Sequence, residues 1–170
     1  MAELKSKPKR TKRYTPKTMT LDPITKAMQR QAYLSEEERE TVMREARPSF
    51  ERLRRGEATK QDWCYLADAA NVGEALSRIG ICSDAPSLEL LVNMQYALRS
   101  FADRANARGI WTATGREIVA IKEGLDRHEI QLLYTTLPDL KKAVAMVQSN
   151  VRAARAGRMT TVTIIEGALA

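Results

Sequence analysis

Apolar positions recur at intervals of three and four along most of this chain. Trp63, Leu66, Ala70, Gly73, Leu76 and Ile79 trace one side of a helix that starts at a Thr59 cap, with Asp62 at its third position, and ends at Gly80. Leu91, Met94, Leu98, Phe101 and Ala105 repeat the period from a turn containing Ser83, Asp84 and Pro86 up to Gly109. Thr114 and Glu117 form a capping box ahead of Ile118, Ile121, Leu125, His128 and Leu132, a helix that Gly124 weakens only modestly. After a break at Leu137 and Pro138, Leu140, Val144, Val147, Val151 and Ala154 make a narrower stripe ending near Gly157.

Two shorter helices precede these. Ser35 and Glu38 read as a capping box, with Glu36 and Glu37 in the first turn where the helix dipole favours them, and this helix is expected to end near Ala46. Pro48 at a first helical position opens the second, which carries Phe50 and Leu53 to Gly56. Upstream of Leu34 there is no sustained period, and Pro8, Pro16 and Pro23 punctuate the stretch. At the other end TTVTII is β-branched, but it has no second strand to pair with and reads as a terminal extension. The prediction is an all-α fold: an antiparallel bundle of about five helices over 35–157, three of them roughly 20 residues long, with an extended basic arm over 1–34 and an extension over 158–170.

Composition refines this picture in one respect. The 170 residues suit one domain with a tail, and with only 5% aromatics the core must be mostly aliphatic. Charge is more informative. The net +7 is concentrated at the start, because residues 1–20 hold seven Lys or Arg against Glu3 alone, leaving 21 basic and 20 acidic residues elsewhere. The body is close to neutral and the arm is cationic.

The cations of the arm are Lys5, Lys7, Lys9, Arg10, Lys12, Arg13 and Lys17, with Tyr14 among them as a ring able to stack on a base. A second basic locus comprises Lys141, Lys142, Arg152, Arg155 and Arg158, for no acid occurs between Asp139 and Glu166. Such residues bind polyanions through counterion release, which makes nucleic acid or an acidic protein surface the expected partner. Two plainer readings stand beside this one: a solubilising tail for the arm, and complementing the helix dipole for Arg152 and Arg155. The helix pair around Gly56 and Thr59 does not read as a DNA-binding helix-turn-helix, because its second helix presents Trp63 and Leu66 and looks like core.

Catalytic patterns are missing from the sequence. It contains no GxxxxGK[ST], GxSxG or HExxH, and its single histidine, His128, excludes most histidine-based triads and His-rich metal sites. His128 falls on an apolar stripe, where a buried imidazole hydrogen-bonded to a backbone or acidic group is expected, with a pH-sensitive switch or a ligand as the alternative. Cys64 reads as a small core residue and Cys82 as a more exposed one in a turn. No metal site, cofactor or enzymatic activity is expected. Without CxxC clusters, a secretory h-region or a long apolar run, the chain is expected to be cytoplasmic and reduced, with no membrane partner. The seam of Leu140, Val144, Val147 and Val151 packs either within the chain or between two copies of it.

The segments KRYTPK, GEATKQDWCYLADAANVGEALSRIGI and TGREIVAIKEGLDRHEIQLL resemble parts of small uncharacterised proteins of proteobacterial phages and prophages, a likeness covering most of the chain from Lys12 to Leu133. The resemblance carries no activity. It implies an accessory protein acting in the bacterial cytoplasm, binding nucleic acid, a bacterial protein or both, or inhibiting host defence or transcription machinery. DNA mimicry would need an acidic surface, and the sign here is the opposite.

Overall fold

Side-chain caps supplied by the sequence decide where the helices start. Ser35, Thr59, Thr114 and Thr136 each accept a hydrogen bond from the backbone N–H three residues on, and the carboxylates of Glu38, Asp62, Glu117 and Asp139 accept in turn from the cap residue's own backbone N–H. Asp84 caps its helix by accepting from the Ser87 N–H at 3.0 Å. In the structure, a computed structural model that describes residues 32–156, the resulting elements are α1 (Glu36–Met43), α2 (Ala46–Arg55), α3 (Lys60–Arg78), α4 (Ala85–Arg108), α5 (Gly115–Leu133) and α6 (Leu137–Arg155). Among the described residues the fold is all-α, with one isolated antiparallel bridge, Tyr33 to Thr136.

Several boundaries differ from the sequence reading. The described residues form six helices, four of them long, instead of about five with three long. Helix α1 stops at Met43 and α2 begins at Ala46, with Arg44 and Glu45 still in right-handed helical conformation between them. Pro48 explains the break: it lacks the N–H that would donate to the Arg44 carbonyl, so the ladder skips one rung and resumes with Ser49 donating to Glu45 at 3.1 Å. Likewise Leu137 and Pro138 open α6 and do not interrupt it, because a proline in the first turn has no intrahelical bond to lose.

The core is mostly aliphatic around a few large rings. Trp63, Leu66, Leu76, Leu91, Met94, Leu98, Phe101, Ile121 and Leu132 are fully buried. The Trp63 indole donates to the Leu98 carbonyl at 2.8 Å, tying α3 to α4, and Phe101 meets Trp111 edge to face with ring centroids 5.5 Å apart. Helix α3 is central, packing on α2, α4, α5 and α6, while the most extensive helix pair is α4 with α5.

Two glycines permit these close approaches. A Cβ on Gly124 would lie 2.5 Å from the Met94 Cβ, and one on Gly73 would lie 2.7 Å from a Leu91 methyl. The sequence places Gly73 on the apolar side of its helix, but treats Gly124 as a mild helix defect. It is instead where α5 meets α4.

A layer of polar side chains crosses the core between α3, α4 and α5. Gln95 donates to Glu74 at 2.7 Å and to Asn71 at 3.1 Å, and the other Glu74 oxygen takes the Arg78 guanidinium. Gln131 donates to the Gly73 carbonyl at 3.1 Å and to the Ser77 hydroxyl at 2.7 Å. At the periphery, Asp62 joins α3 to α2 through Arg52 and Ser49, and Glu117 joins α5 to α4 through Arg104.

Candidate functional site

Helix α6 carries the described part of the second basic locus. Lys141, Lys142, Arg152 and Arg155 are all exposed, and none makes an ion pair with another described residue. At about 100° per residue, Lys141, Gln148, Arg152 and Arg155 fall within an arc of roughly 60°, and Lys142 lies off that stripe. The three aligned cations span about 21 Å of helix axis. The opposite side, with Leu140, Met146 and Val147, packs partly buried on the core, and Ala143 is the fully buried residue of the helix. A helix with its apolar side on α3 thus turns a cationic, acid-poor side to solvent.

Lys5, Lys7, Lys9, Arg10, Lys12, Arg13, Tyr14, Lys17 and Arg158 lie outside the described residues. So do TTVTII and most of the arm. The point where the arm joins the body is described, and it is fastened. The Leu34 N–H donates to the Thr135 carbonyl at 2.9 Å, Tyr33 bridges to Thr136, and the Arg39 guanidinium donates to the Leu34 carbonyl at 2.8 Å. Leu34 is buried in the core cluster. Residues 33 and 34, which the sequence reading assigns to the arm, therefore pack on the corner between α5 and α6. No hydrophobic period signals this, because a single buried leucine and one backbone bridge leave no repeat to read.

Large apolar side chains crowd the same corner. Tyr33, Ile130, Leu133, Tyr134 and Leu137 are each more than 40% exposed, a grouping that sequence periodicity does not mark. Alongside it, α1 and α5 form an open cleft of about 440 Å³ in which Arg47 bridges Glu40 at 2.6 Å and Glu129 at 2.7 Å.

His128 is 1% exposed, as its place on the apolar stripe predicts, but its partner is an amide and not a backbone or acidic group. Both polar ends of Gln131 are fixed by this arrangement: its NH₂ donates to Gly73 and Ser77, so its Oε1 faces His128 Nδ1 at 3.4 Å as an acceptor. That assigns the proton to Nδ1 and leaves Nε2 as a bare acceptor, which has no partner. Burial, only partly offset by Gln131, lowers the imidazole pKa to about 4, so the ring is neutral at pH 7.

Two buried carboxylates are structural. Burial alone would raise the Asp62 carboxyl, but Arg52, Thr59 and Ser49 outweigh it and bring it to about 2; Glu117, held by Arg104 and Thr114, reaches about 2 in the same way. Cys64 and Cys82 are both half-buried, and burial followed by the nearby Asp68 charge pushes the Cys64 thiol up, away from the reactive thiolate. Among the described residues no cluster of three His, Cys, Asp or Glu could hold a metal ion, and no helix is long and apolar enough to cross a membrane. Compared with known proteins, the chain matches no family model, and no curated protein or solved structure shows significant similarity to it.

Proposed function

We propose that this is a non-enzymatic interaction protein whose antiparallel helical body docks on a partner while its cationic arm and α6 engage nucleic acid or another polyanionic surface. The observation that carries the reading is the fastening of Tyr33 and Leu34 to Thr135 and Thr136. It holds residues 33 and 34 against the start of α6, about one and a half turns before Lys141 and Lys142, and Lys17 precedes Tyr33 by 16 positions in the sequence. Two basic loci that are far apart in sequence then act on one polyanion, where their charges add to a single counterion-release effect.

The test is fluorescence anisotropy with a labelled duplex and the matching single strand, at about 50 and 200 mM salt, using the full chain and a chain beginning at Asp22. Steeply salt-dependent binding that weakens by orders of magnitude without residues 1–21 is expected. No binding at the lower salt by the full chain overturns the reading.

A second reading rests on the exposed apolar corner of Tyr33, Ile130, Leu133, Tyr134 and Leu137. In it the protein is a regulator or inhibitor of a bacterial host system in the cytoplasm, as the resemblance to phage and prophage proteins implies, and specificity lies in that corner without nucleic-acid contact. A stoichiometric bacterial protein retained after nuclease treatment, and lost on Leu133→Glu, favours this reading.

A further inference from the structure

A groove of about 270 Å³ opens where α3, α5 and α6 meet the junction of α1 and α2. Its walls are mostly aliphatic, including Val42, Val72, Leu140 and Val144, with Tyr65 as the one aromatic side chain, and His128 contributes to its lining from the core side. Two further charged residues line it, Glu45 and Asp68, both acids; no lysine or arginine does. Neither carboxylate makes an ion pair within 4 Å among the described residues, although the Arg52 guanidinium lies near enough to Glu45 to feel its charge.

We propose that this groove binds a small organic cation, an apolar body bearing a primary ammonium, recognised by the Glu45 and Asp68 carboxylates and by the bare Nε2 of His128. Each feature of the site favours that chemistry over its alternatives. An anion would meet two carboxylates and an imidazole nitrogen that can only accept. A neutral hydrocarbon would cover the walls but leave Nε2 unpaired, and buried acceptors are seldom left so. A water could answer Nε2 but not the aliphatic walls. An ammonium supplies donors and the opposite charge, and its carbon body replaces water against the aliphatic side chains.

The electrostatics agree with the geometry. Asp68 is exposed, yet partial burial pushes its carboxyl above the usual carboxylate range, and no neighbouring cation offsets the effect. A bound ammonium would supply the missing charge. The neutral state of His128 at pH 7 leaves Nε2 an acceptor, buried and without a partner beneath the groove's lining. The inference is independent of α6's outer face, whose cations do not line the groove.

The experiment uses the full chain and exploits its single histidine, because imidazole ¹⁵N signals then report His128 alone. The protein is titrated at pH 7 with cyclohexylammonium, cyclohexanol and cyclohexanecarboxylate, three ligands of similar size and different charge. Saturable movement of Nε2 with the ammonium is expected, with affinity for the alcohol at least about tenfold weaker and none for the carboxylate. Asp68→Asn should weaken ammonium binding roughly two- to fivefold while leaving the alcohol unchanged. Val144→Trp, which fills the groove, should abolish the response. Equal binding of all three ligands, no saturable response to the ammonium, or an Nε2 that already carries the proton before titration overturns the proposal.

Discussion

Replacing Lys141, Arg152 and Arg155 together with glutamine removes the aligned cations of α6 and leaves its buried side untouched. Each cation that neutralises a duplex phosphate contributes about 0.9 to the slope of log affinity against log salt, so three contribute about 2.7. Between 50 and 200 mM, a fourfold range, the full chain should therefore lose roughly 40-fold more affinity than the variant. Lys142→Gln, off the stripe, is the internal control and should change the slope by much less. Because all three replaced side chains are exposed and unpaired within the described residues, thermal unfolding should shift little; Arg152 and Arg155 in the last turn lose about 0.3–1 kcal/mol of dipole interaction each. The assay is anisotropy across five or more salt concentrations. A slope for the triple variant within about 0.9 of the parent value refutes α6 as part of the interface, and an equal effect from Lys142→Gln refutes the stripe.

Other predictions concern stability. Gly124→Ala should destabilise by about 1–3 kcal/mol in urea unfolding, opposite in sign to the gain expected at an unconstrained helical glycine, because its Cβ would meet Met94 at 2.5 Å. Acid should act in two stages. The folded-state pKa of His128 is depressed to about 4 from 6.5, so the unfolded chain binds the extra proton first and stability falls as pH drops from about 6.5 to 4, by about 3 kcal/mol in all; His128→Gln should remove that stage from the pH profile of unfolding. Asp62 and Glu117 are depressed to about 2 from 3.8 and 4.5, so their stabilisation is present above those ordinary values and is lost as pH falls through about 2. Each contributes about 1–2 kcal/mol after allowance for the partial exposure of Arg52 and Arg104, and Asp62→Asn should flatten the lower stage.

Local signals carried most of the helix assignment and little of the assembly. Thr59 with Asp62 and Thr114 with Glu117 set helix starts that are readable because a cap and its reply lie three residues apart. The break lies two to three residues ahead of where Pro48 points in the sequence, since a proline's effect falls on a carbonyl four positions earlier, where the side chain gives no sign. Gly124 was misread because its role depends on Met94, thirty positions away. The cations of α6 could be named from composition, and their common face follows from the period. The seating of Tyr33 and Leu34 at the start of α6 could not be, because it rests on two backbone contacts, Leu34 with Thr135 and Tyr33 with Thr136, between residues a hundred positions apart.

The distribution of polar groups separates the rigid part of this molecule from the parts left for partners. Glu74, Gln95, Asn71, Gln131 and Ser77 are buried together and directed at one another, so sliding α3 along α4 or α5 would strand several of them at once. A polar layer of that kind fixes register; it offers nothing to a substrate. Helix α6 lies outside the layer, held to α3 by half-buried aliphatic side chains with Ala143 at the centre, and its charges face outward. His128 stands between the two regions: Nδ1 belongs to the layer through Gln131, while Nε2 is left over beside the groove that α6 helps to close. A ligand there would touch Leu140 and Val144 of α6 and Val72 of α3 together, and so would stabilise the docking of the helix that carries the cationic stripe. If the stripe binds polyanions only when α6 is docked, cyclohexylammonium should strengthen duplex binding by the full chain and leave the Val144→Trp variant unaffected; an unchanged duplex affinity at saturating ammonium would show that the two sites act separately.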